Sequence, residues 1–200
     1  MKNVWTVRGI VFSALFAALV SALSWVKIQP GFSPVPITLE NLVVMLAGAF
    51  LGATYGFFSM SLVVLLLALG LPLLAGSGGL ALLLGPTGGY VWMYPIDALL
   101  IGWFVTRIRG NGLLAGVKIF LVVEVFGSLL CYVTGVPWLA HFLHIPLQKA
   151  MWLGFYPYLP GDLIKALVTT LIVLPIRRVY PATRLVGRGG SSNVAVLSDS

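Results

Sequence analysis

The stretch LENLVVMLAGAFLGATYGFFSMSLVVLLLALGLPLL (residues 39–74) decides the fold, because it is almost entirely apolar over an unusual length. A helix needs about 20 apolar residues to cross the hydrocarbon core of a bilayer, so this stretch is long enough for two helices. Gly48, Gly52 and Gly56 recur every four residues within it. Small residues at that spacing let helix backbones approach closely. The stretch therefore predicts two membrane helices and a close contact between helix backbones.

The rest of the chain has the same character, since its 200 residues are 60% hydrophobic and only 8% charged. A soluble domain has about 45–50% apolar and about 25% charged residues. We therefore predict an all-α integral membrane protein of six transmembrane helices with Gly/Pro-rich outer loops. One membrane domain is expected over residues 1–185, and residues 186–200 are expected to form a polar, disordered tail in the cytoplasm.

The other four predicted spans follow from the remaining apolar runs. Three prolines interrupt the loop at 29–38, and seven glycines or prolines fall in the segment at 75–89; neither suits a helix interior. The segment at 135–161 is half-apolar, which predicts a loop with a short interfacial helix. The spans themselves are expected at about residues 9–26, 90–106, 113–133 and 162–179.

The basic residues predict the orientation. The net charge of +7 could indicate nucleic-acid binding, but the lysines and arginines are scattered over loops without a patch. Cytoplasmic loops of membrane proteins carry an excess of Lys and Arg, and a six-span arrangement puts most of them on one side. We therefore predict a multi-pass membrane protein with both termini in the cytoplasm. The basic residues on the inner side are Lys2, Arg8, Arg107, Arg109, Arg177, Arg178, Arg184 and Arg188. Lys27 and Lys149 lie on the outer side.

An acid and a base, Asp162 and Lys165, open the last apolar run, FYPYLPGDLIKALVTTLIVLP (residues 155–175). At positions i and i+3 they share one helix face. Asp162 could cap the helix after Pro160-Gly161, or the two could form a plain intrahelical pair. Ionisable residues in a membrane span usually face an aqueous cavity or the protein interior and serve a function. Both residues are therefore candidates for a binding site.

A second candidate is the glycine-rich segment GPTGGY (residues 85–90), which precedes an apolar helix. Backbone N–H groups at a helix N-terminus suit a carboxylate or a phosphate. The alternative is a tight re-entrant turn that uses only the conformational freedom of glycine. The candidate ligand-binding residues here are Thr87, Gly88, Gly89 and Tyr90, with weaker support for Gly79 in the preceding loop.

Three further acids, Glu40, Asp97 and Glu124, lie in or near the predicted spans. Asp97 and Glu124 are expected to point into the helix bundle, since a charge is costly in lipid. Cys131 lies in an apolar run and is expected to be a small core residue. His141 and His144 lack a third ligand, so no metal site is predicted. No nucleophile and base are spaced for catalysis, and no nucleotide-binding motif is present, so the protein is not expected to be an enzyme or to carry a cofactor.

The first predicted helix carries small residues at four-residue spacing, at Ala14 and Ala18. Such a stripe permits close packing against another helix. The spacing leaves open whether that helix belongs to this chain or to a partner.

Several of these segments together resemble the BioY family, the biotin-specific substrate-binding (S) components of energy-coupling-factor (ECF) vitamin importers. The resemblance covers most of residues 10–180 and is most specific in GPTGGY and PGDLIKA. The segments that carry it, in the order of the family, are SPVPITLENL (33–42), AGAFLG (47–52), GLPLLAGSGGLALLLGPTGGY (70–90), GVPWLA (135–140) and YPYLPGDLIKA (156–166).

The resemblance implies a six-helix substrate component of the bacterial cell membrane with its pocket near the outer face. Asp162 would accept a hydrogen bond from a ureido N–H of biotin, and Lys165 would donate to the ureido carbonyl, both charge-assisted. The N–H groups of Thr87, Gly88 and Gly89, with the Tyr90 hydroxyl, are the candidates for holding the valerate carboxylate.

The resemblance also implies partners. The Ala14 and Ala18 stripe would face the transmembrane coupling subunit, which works with a pair of cytoplasmic ATPases, although some members of the family are reported to act without them. The chain departs from the family at Glu40, where glutamine is common, at Trp92 and Asp97, and in YPYLPGD.

The predicted function is therefore high-affinity capture of biotin outside the cell and its delivery inward, energised by ECF subunits or performed alone. Three alternatives remain from the sequence: a related importer component for thiamin or riboflavin, a membrane enzyme, and a helical scaffold protein. PGDLIKA favours biotin over the first, the lack of a catalytic set disfavours the second, and the charges at 162 and 165 disfavour the third.

Overall fold

The computed structural model describes residues 5–110 and 112–187, which are mostly helical. The predicted tail lies outside the described residues from position 188 onward. In chain order the elements are α1 (Val7–Leu23), β1 (Lys27–Ile28), β2 (Ile37–Thr38), α2 (Glu40–Ala68), α3 (Leu80–Leu83), α4 (Gly88–Val91), α5 (Tyr94–Val105), α6 (Leu113–Glu124), a π-helix (Val125–Leu129), α7 (Leu130–Leu143), α8 (Leu147–Gly154), α9 (Leu159–Val179) and α10 (Ala182–Leu185).

Among the described residues, three helical stretches are long and apolar enough to cross a membrane by length and composition. They are Glu40–Ala68, Leu113–Leu143 and Leu159–Val179. The helices α1 and α5 are apolar but shorter, with 17 and 12 residues. These features support a helical membrane protein.

Helix α2 is two helices joined by a kink. Gly52 has φ +74° and ψ −179°, a backbone conformation that glycine adopts readily. A Cβ added at Gly56 would lie 3.1 Å from the Cα of Gly48, although residues eight apart in a straight helix are separated by about 12 Å. The chain therefore folds back at Gly52 into two arms, residues 40–51 and 53–68. The prediction of two helices in this stretch is confirmed.

Helix α5 packs directly on the backbone of this hairpin. A Cβ added at Gly102 would lie 2.3 Å from the carbonyl carbon of Gly52 and 2.4 Å from the amide nitrogen of Ala53. A Cβ added at Gly48 would lie 2.6 Å from the carbonyl oxygen of Ala98. The glycines therefore permit the close backbone contact predicted from their spacing, and the partner helix is α5 as well as the second arm.

The predicted fifth span is longer than expected. A continuous helical stretch of α6, the π-helix and α7 runs from Leu113 to Leu143, so the prediction of a loop beginning at residue 135 was wrong. Pro137 lies inside α7, and prolines are tolerated in membrane helices because neighbouring groups satisfy the freed backbone. The helix ends at His144, which has φ +54°. Helix α8 supplies the short helix predicted after it.

The last helix begins at Leu159, three residues before the predicted start. Pro160 occupies its first turn, where the missing N–H leaves no hydrogen bond unmade.

The short ribbon of β1 and β2, with Lys27 opposite Thr38 and Ile28 opposite Ile37, joins α1 to α2. The ribbon lies at the end of the bundle where α2, α5 and α9 begin.

Candidate functional site

A cavity of about 290 Å³ opens at that end of the bundle. Its walls come from the ribbon, the loop at 29–38, the glycine-rich segment, and the parts of α2, α5, α7 and α9 nearest to them. This volume lies near the lower limit of small-molecule sites, which start at roughly 300 Å³. The charged residues in the lining are Lys27, Glu40, Asp162 and Lys165.

Asp162 and Lys165 form an ion pair in the wall of this cavity. The Lys165 Nζ donates to Asp162 Oδ1 at 2.9 Å, and Asp162 is only 3% exposed. The Tyr132 hydroxyl donates to the other carboxylate oxygen, Oδ2. Since α9 begins at Leu159 with Tyr158 as its N-cap residue, Asp162 lies inside the first turn and its side chain does not cap the helix. The capping interpretation is replaced by a pair that faces the cavity.

Glu40 and Tyr94 form a second polar contact in the lining. The Tyr94 hydroxyl donates to Glu40 Oε2 at 2.9 Å, and Glu40 is 7% exposed. Glu40 begins α2 and Tyr94 begins α5, so the parallel packing of these helices brings the two side chains together. Glu40, to which the sequence assigned no role, is thus buried in the bundle, and its partner could not be named from the sequence.

Aromatic side chains make the remaining wall. The Tyr132 ring packs edge-on against Tyr90 and Phe155, with ring centroids 6.0 and 4.8 Å away. The Tyr158 hydroxyl donates to the Val35 carbonyl at 2.5 Å, which ties the loop at 29–38 to the start of α9. Burial raises the pKa of Tyr158, so its hydroxyl stays protonated as a donor.

Among the aromatic residues of the segment at 135–161, Tyr158 lines the cavity. Trp138, Trp152 and Tyr156 are not part of the lining, and Trp152 is 63% exposed. Tyr132, which touches the ion pair directly, was missed. No local pattern in the sequence marks it, because its contact with Asp162 joins positions 30 residues apart.

The glycine-rich segment divides into residues that reach the cavity and residues that do not. Thr87 and Tyr90 line it, whereas Gly79, Gly88 and Gly89 lie outside the lining. The Gly88 N–H donates to the Gly85 carbonyl at 3.1 Å, and the Tyr90 hydroxyl donates to the Gly154 carbonyl at 3.0 Å. The donors expected to hold a carboxylate are thus partly engaged within the protein.

These glycines serve close packing. A Cβ added at Gly88 would lie 1.9 Å from the Leu83 carbonyl oxygen, and one at Gly89 would lie 2.5 Å from the Trp138 Cβ. Gly79 has φ +77°, a conformation that side-chain-bearing residues rarely adopt. The segment therefore packs α4 tightly beneath the cavity and against α7.

The remaining acids and the cysteine lie deeper. Asp97 is fully buried, as predicted, and the Cys131 thiol donates to its Oδ2 at 2.7 Å. Glu124 is buried and accepts a hydrogen bond from Ser128 at 3.3 Å. Within residues 5–110 and 112–187, no three His, Cys, Asp or Glu side chains are grouped to hold a metal ion.

Ala14 and Ala18 lie on a face of α1 that the other described residues leave exposed. The opposite face, with Ser13, Ala17 and Val20, packs inward. Within the described residues, no helix of this chain therefore covers Ala14 and Ala18.

Comparison with known proteins gives consistent matches over nearly the whole chain. The sequence model of the BioY family matches residues 1–182. The chain is 38% identical to "Biotin transporter BioY" of Rhizobium etli over 179 residues, which are 87% of this chain and 95% of that protein. It is 34% identical to "Biotin transporter BioY" of Lactococcus lactis subsp. cremoris, covering 89% of this chain and 95% of the other.

A solved structure is similar as well. It is the crystal structure of the S-component for biotin from an ECF-type ABC transporter, with a TM-score of 0.81 and 34% sequence identity. The match covers 89% of this chain and 95% of that chain, so the folds agree along almost their full length.

Proposed function

The chain belongs to the BioY family, and from that premise we propose that it takes up biotin, which its cavity captures at the outer face of a cell membrane. The observation that carries the proposal is the largely buried Asp162–Lys165 pair in the cavity wall. The names of the relatives, biotin transporters, and the name of the matching structure, an S-component for biotin, support the same ligand.

The chemistry of the pair suits the ureido ring. That ring offers N–H donors and a carbonyl acceptor, and Asp162 and Lys165 offer an acceptor and a donor side by side. Both contacts would be charge-assisted and therefore stronger than neutral hydrogen bonds. Tyr132, bonded to Asp162 Oδ2, holds the carboxylate in place, and its ring offers an apolar surface for the sulfur-containing ring of biotin.

Six membrane spans fit this structure best. They are α1, the two arms of α2, α5, the helical stretch from Leu113 to Leu143, and α9. An even number places both termini on the same side, and the positive-inside rule assigns that side to the cytoplasm. Lys2 and Arg188, which contribute to this argument, lie outside the described residues. A reporter fused to the C-terminus should be accessible only from the cytoplasm, and one accessible from outside would contradict the arrangement.

Energy for transport would come from ECF subunits. The sequence has no nucleotide-binding motif, and the matching structure belongs to an ECF-type ABC transporter. Ala14 and Ala18, exposed on α1, provide a flat surface for a helix of the coupling subunit, which in turn would bind the ATPase pair. Ala18→Trp should block this association without loss of biotin binding. Val133→Trp, at an exposed position on α7, is the matched control.

Biotin binding to the purified chain tests the proposal. The double variant Asp162→Asn with Lys165→Ala should lose binding in a calorimetric titration while it keeps its elution volume and unfolding temperature in detergent. The control is Lys149→Ala, which removes an exposed lysine outside the cavity lining and should bind as the unaltered protein does. Tight binding by the double variant would refute the assignment of these residues, and failure of the unaltered protein to bind biotin would refute the function.

A further inference from the structure

The carboxylate end of the ligand needs hydrogen-bond donors or a cation in the cavity lining. Biotin ends in a carboxylate, an anion at neutral pH. Two of the four donors predicted for it in the glycine-rich segment are engaged, since the Gly88 N–H bonds to the Gly85 carbonyl and the Tyr90 hydroxyl bonds to the Gly154 carbonyl. Gly88 and Gly89 do not line the cavity. Of the four predicted donors, Thr87 is therefore the one that lines the cavity and is not engaged by these bonds, so a carboxylate there needs further donors.

Two cations line the cavity, and they differ in their surroundings. The Lys165 side chain is only 12% exposed and is paired with Asp162. Lys27 is exposed and forms no ion pair with any residue that the structure describes. Glu40, deeper in the lining, interacts electrostatically with Lys27, but its carboxylate already accepts a hydrogen bond from the Tyr94 hydroxyl. Lys27 is therefore the cation available to an incoming anion.

The ribbon places a second donor beside Lys27. Lys27 on β1 and Thr38 on β2 are direct partners in the antiparallel register, so their side chains lie on the same face, with Cβ atoms roughly 5 Å apart. Both residues line the cavity. The Thr38 hydroxyl makes no side-chain hydrogen bond within the described part of the chain. An ammonium and a hydroxyl thus sit side by side.

The ion pair and Lys27 also lie at different depths in the cavity. Asp162 is buried in its wall and the Lys165 side chain is only 12% exposed, whereas Lys27 is at the exposed rim. A ligand with its ureido ring at the ion pair would extend its chain toward the rim. On the basis that the chain binds biotin, we propose that Lys27 and Thr38 hold the carboxylate of the ligand and make the site selective for the acid over its neutral derivatives.

Affinities for two ligands test this role. Titration with biotin and with biotinamide, in which a neutral amide replaces the carboxylate, separates recognition of the charge from recognition of the ring. Lys27→Met should weaken biotin binding about tenfold, the scale of one charge-assisted hydrogen bond, and leave biotinamide binding nearly unchanged. Lys27→Arg should retain most of the preference for biotin, and Thr38→Val should reduce it a few-fold. High salt should reduce the preference of the unaltered protein, because the contact is exposed.

The control is Lys149→Met, which removes the other lysine expected on this side of the protein and should change neither affinity. Equal losses for both ligands in Lys27→Met would overturn the inference, because Lys27 would then only shape the ribbon. An unchanged affinity for biotin in that variant would overturn it too. If the unaltered protein bound neither ligand, the proposed function itself would fail, and the inference with it.

Discussion

The glycine-rich segment at 85–90 and the start of α9 look equivalent in the sequence, since each combines glycine and proline with groups that could bind a ligand. In the structure they differ. The start of α9 presents two charged side chains to the cavity, whereas the glycine-rich segment uses much of its backbone for internal hydrogen bonds and close packing. Glycines before a helix are therefore weak evidence of a ligand site, and a charged pair in an apolar helix is stronger evidence.

The largest expected effect compares one glycine from each region. A Cβ at Gly88 would lie 1.9 Å from the Leu83 carbonyl oxygen, whereas one at Gly161 meets nothing within 4 Å. Gly88→Ala should lower the free energy of unfolding by about 3 kcal/mol or prevent folding, as overpacking against backbone does. Gly161→Ala should be neutral or slightly stabilising, because alanine favours a helix over glycine. Thermal unfolding in detergent measures both.

Equal stability of these two variants would remove the distinction between the regions. It would mean that the segment relaxes around the added methyl group at little cost. The glycines at 88 and 89 would then be free to serve a ligand, as predicted from the sequence.

The next largest effect belongs to the ion pair. Asp162→Asn alone removes the charged acceptor and leaves Lys165 without its partner. We expect biotin affinity to fall about a hundredfold, or roughly 3 kcal/mol at 1.4 kcal/mol per factor of ten. Isothermal titration measures the affinity, and circular dichroism checks that the helices persist. A loss below about threefold would mean that Asp162 has only a structural role.

Tyr132→Phe should have a smaller effect. The substitution removes the hydroxyl that donates to Asp162 but retains the ring that packs on Tyr90 and Phe155. One hydrogen bond contributes about 1 kcal/mol, so biotin affinity should fall about fivefold. Tyr156→Phe, altered at an exposed tyrosine outside the cavity lining, is the control. No change in affinity for Tyr132→Phe would indicate that Lys165 alone positions the carboxylate.

Much of the fold could be predicted from the sequence, because helix length and apolar character are local properties. The two arms of α2 were predicted from the length of the stretch, and the buried positions of Asp97 and Glu124 from the cost of charge in lipid. The end of the fifth span could not be predicted. Pro137 indicates a break in soluble proteins, but in this helix the chain continues past it to Leu143.

The site was only partly predictable, for a different reason. Asp162 and Lys165 are close in sequence, so their contact follows from helix geometry. Tyr132 reaches Asp162, and Tyr94 reaches Glu40, across 30 and 54 positions, and no periodicity within one segment encodes such contacts. The same holds for Lys27 and Thr38, which become neighbours only because the loop between them returns as a ribbon.

The smallest expected effect decides between the glycine-rich segment and the ribbon as the site of the carboxylate. Thr87 and Thr38 both line the cavity, and replacing either by valine keeps the shape while it removes one hydroxyl. If the ribbon holds the carboxylate, Thr38→Val should weaken biotin binding a few-fold, within the roughly 1 kcal/mol of a single hydrogen bond, and Thr87→Val should change it by less than about twofold. The reverse order would return the carboxylate to the glycine-rich segment, since Thr87 is the residue there whose hydroxyl remains available. Because the two variants differ by the same atoms and both sit in the lining, a difference in their affinities reports the position of the ligand and not a general loss of packing.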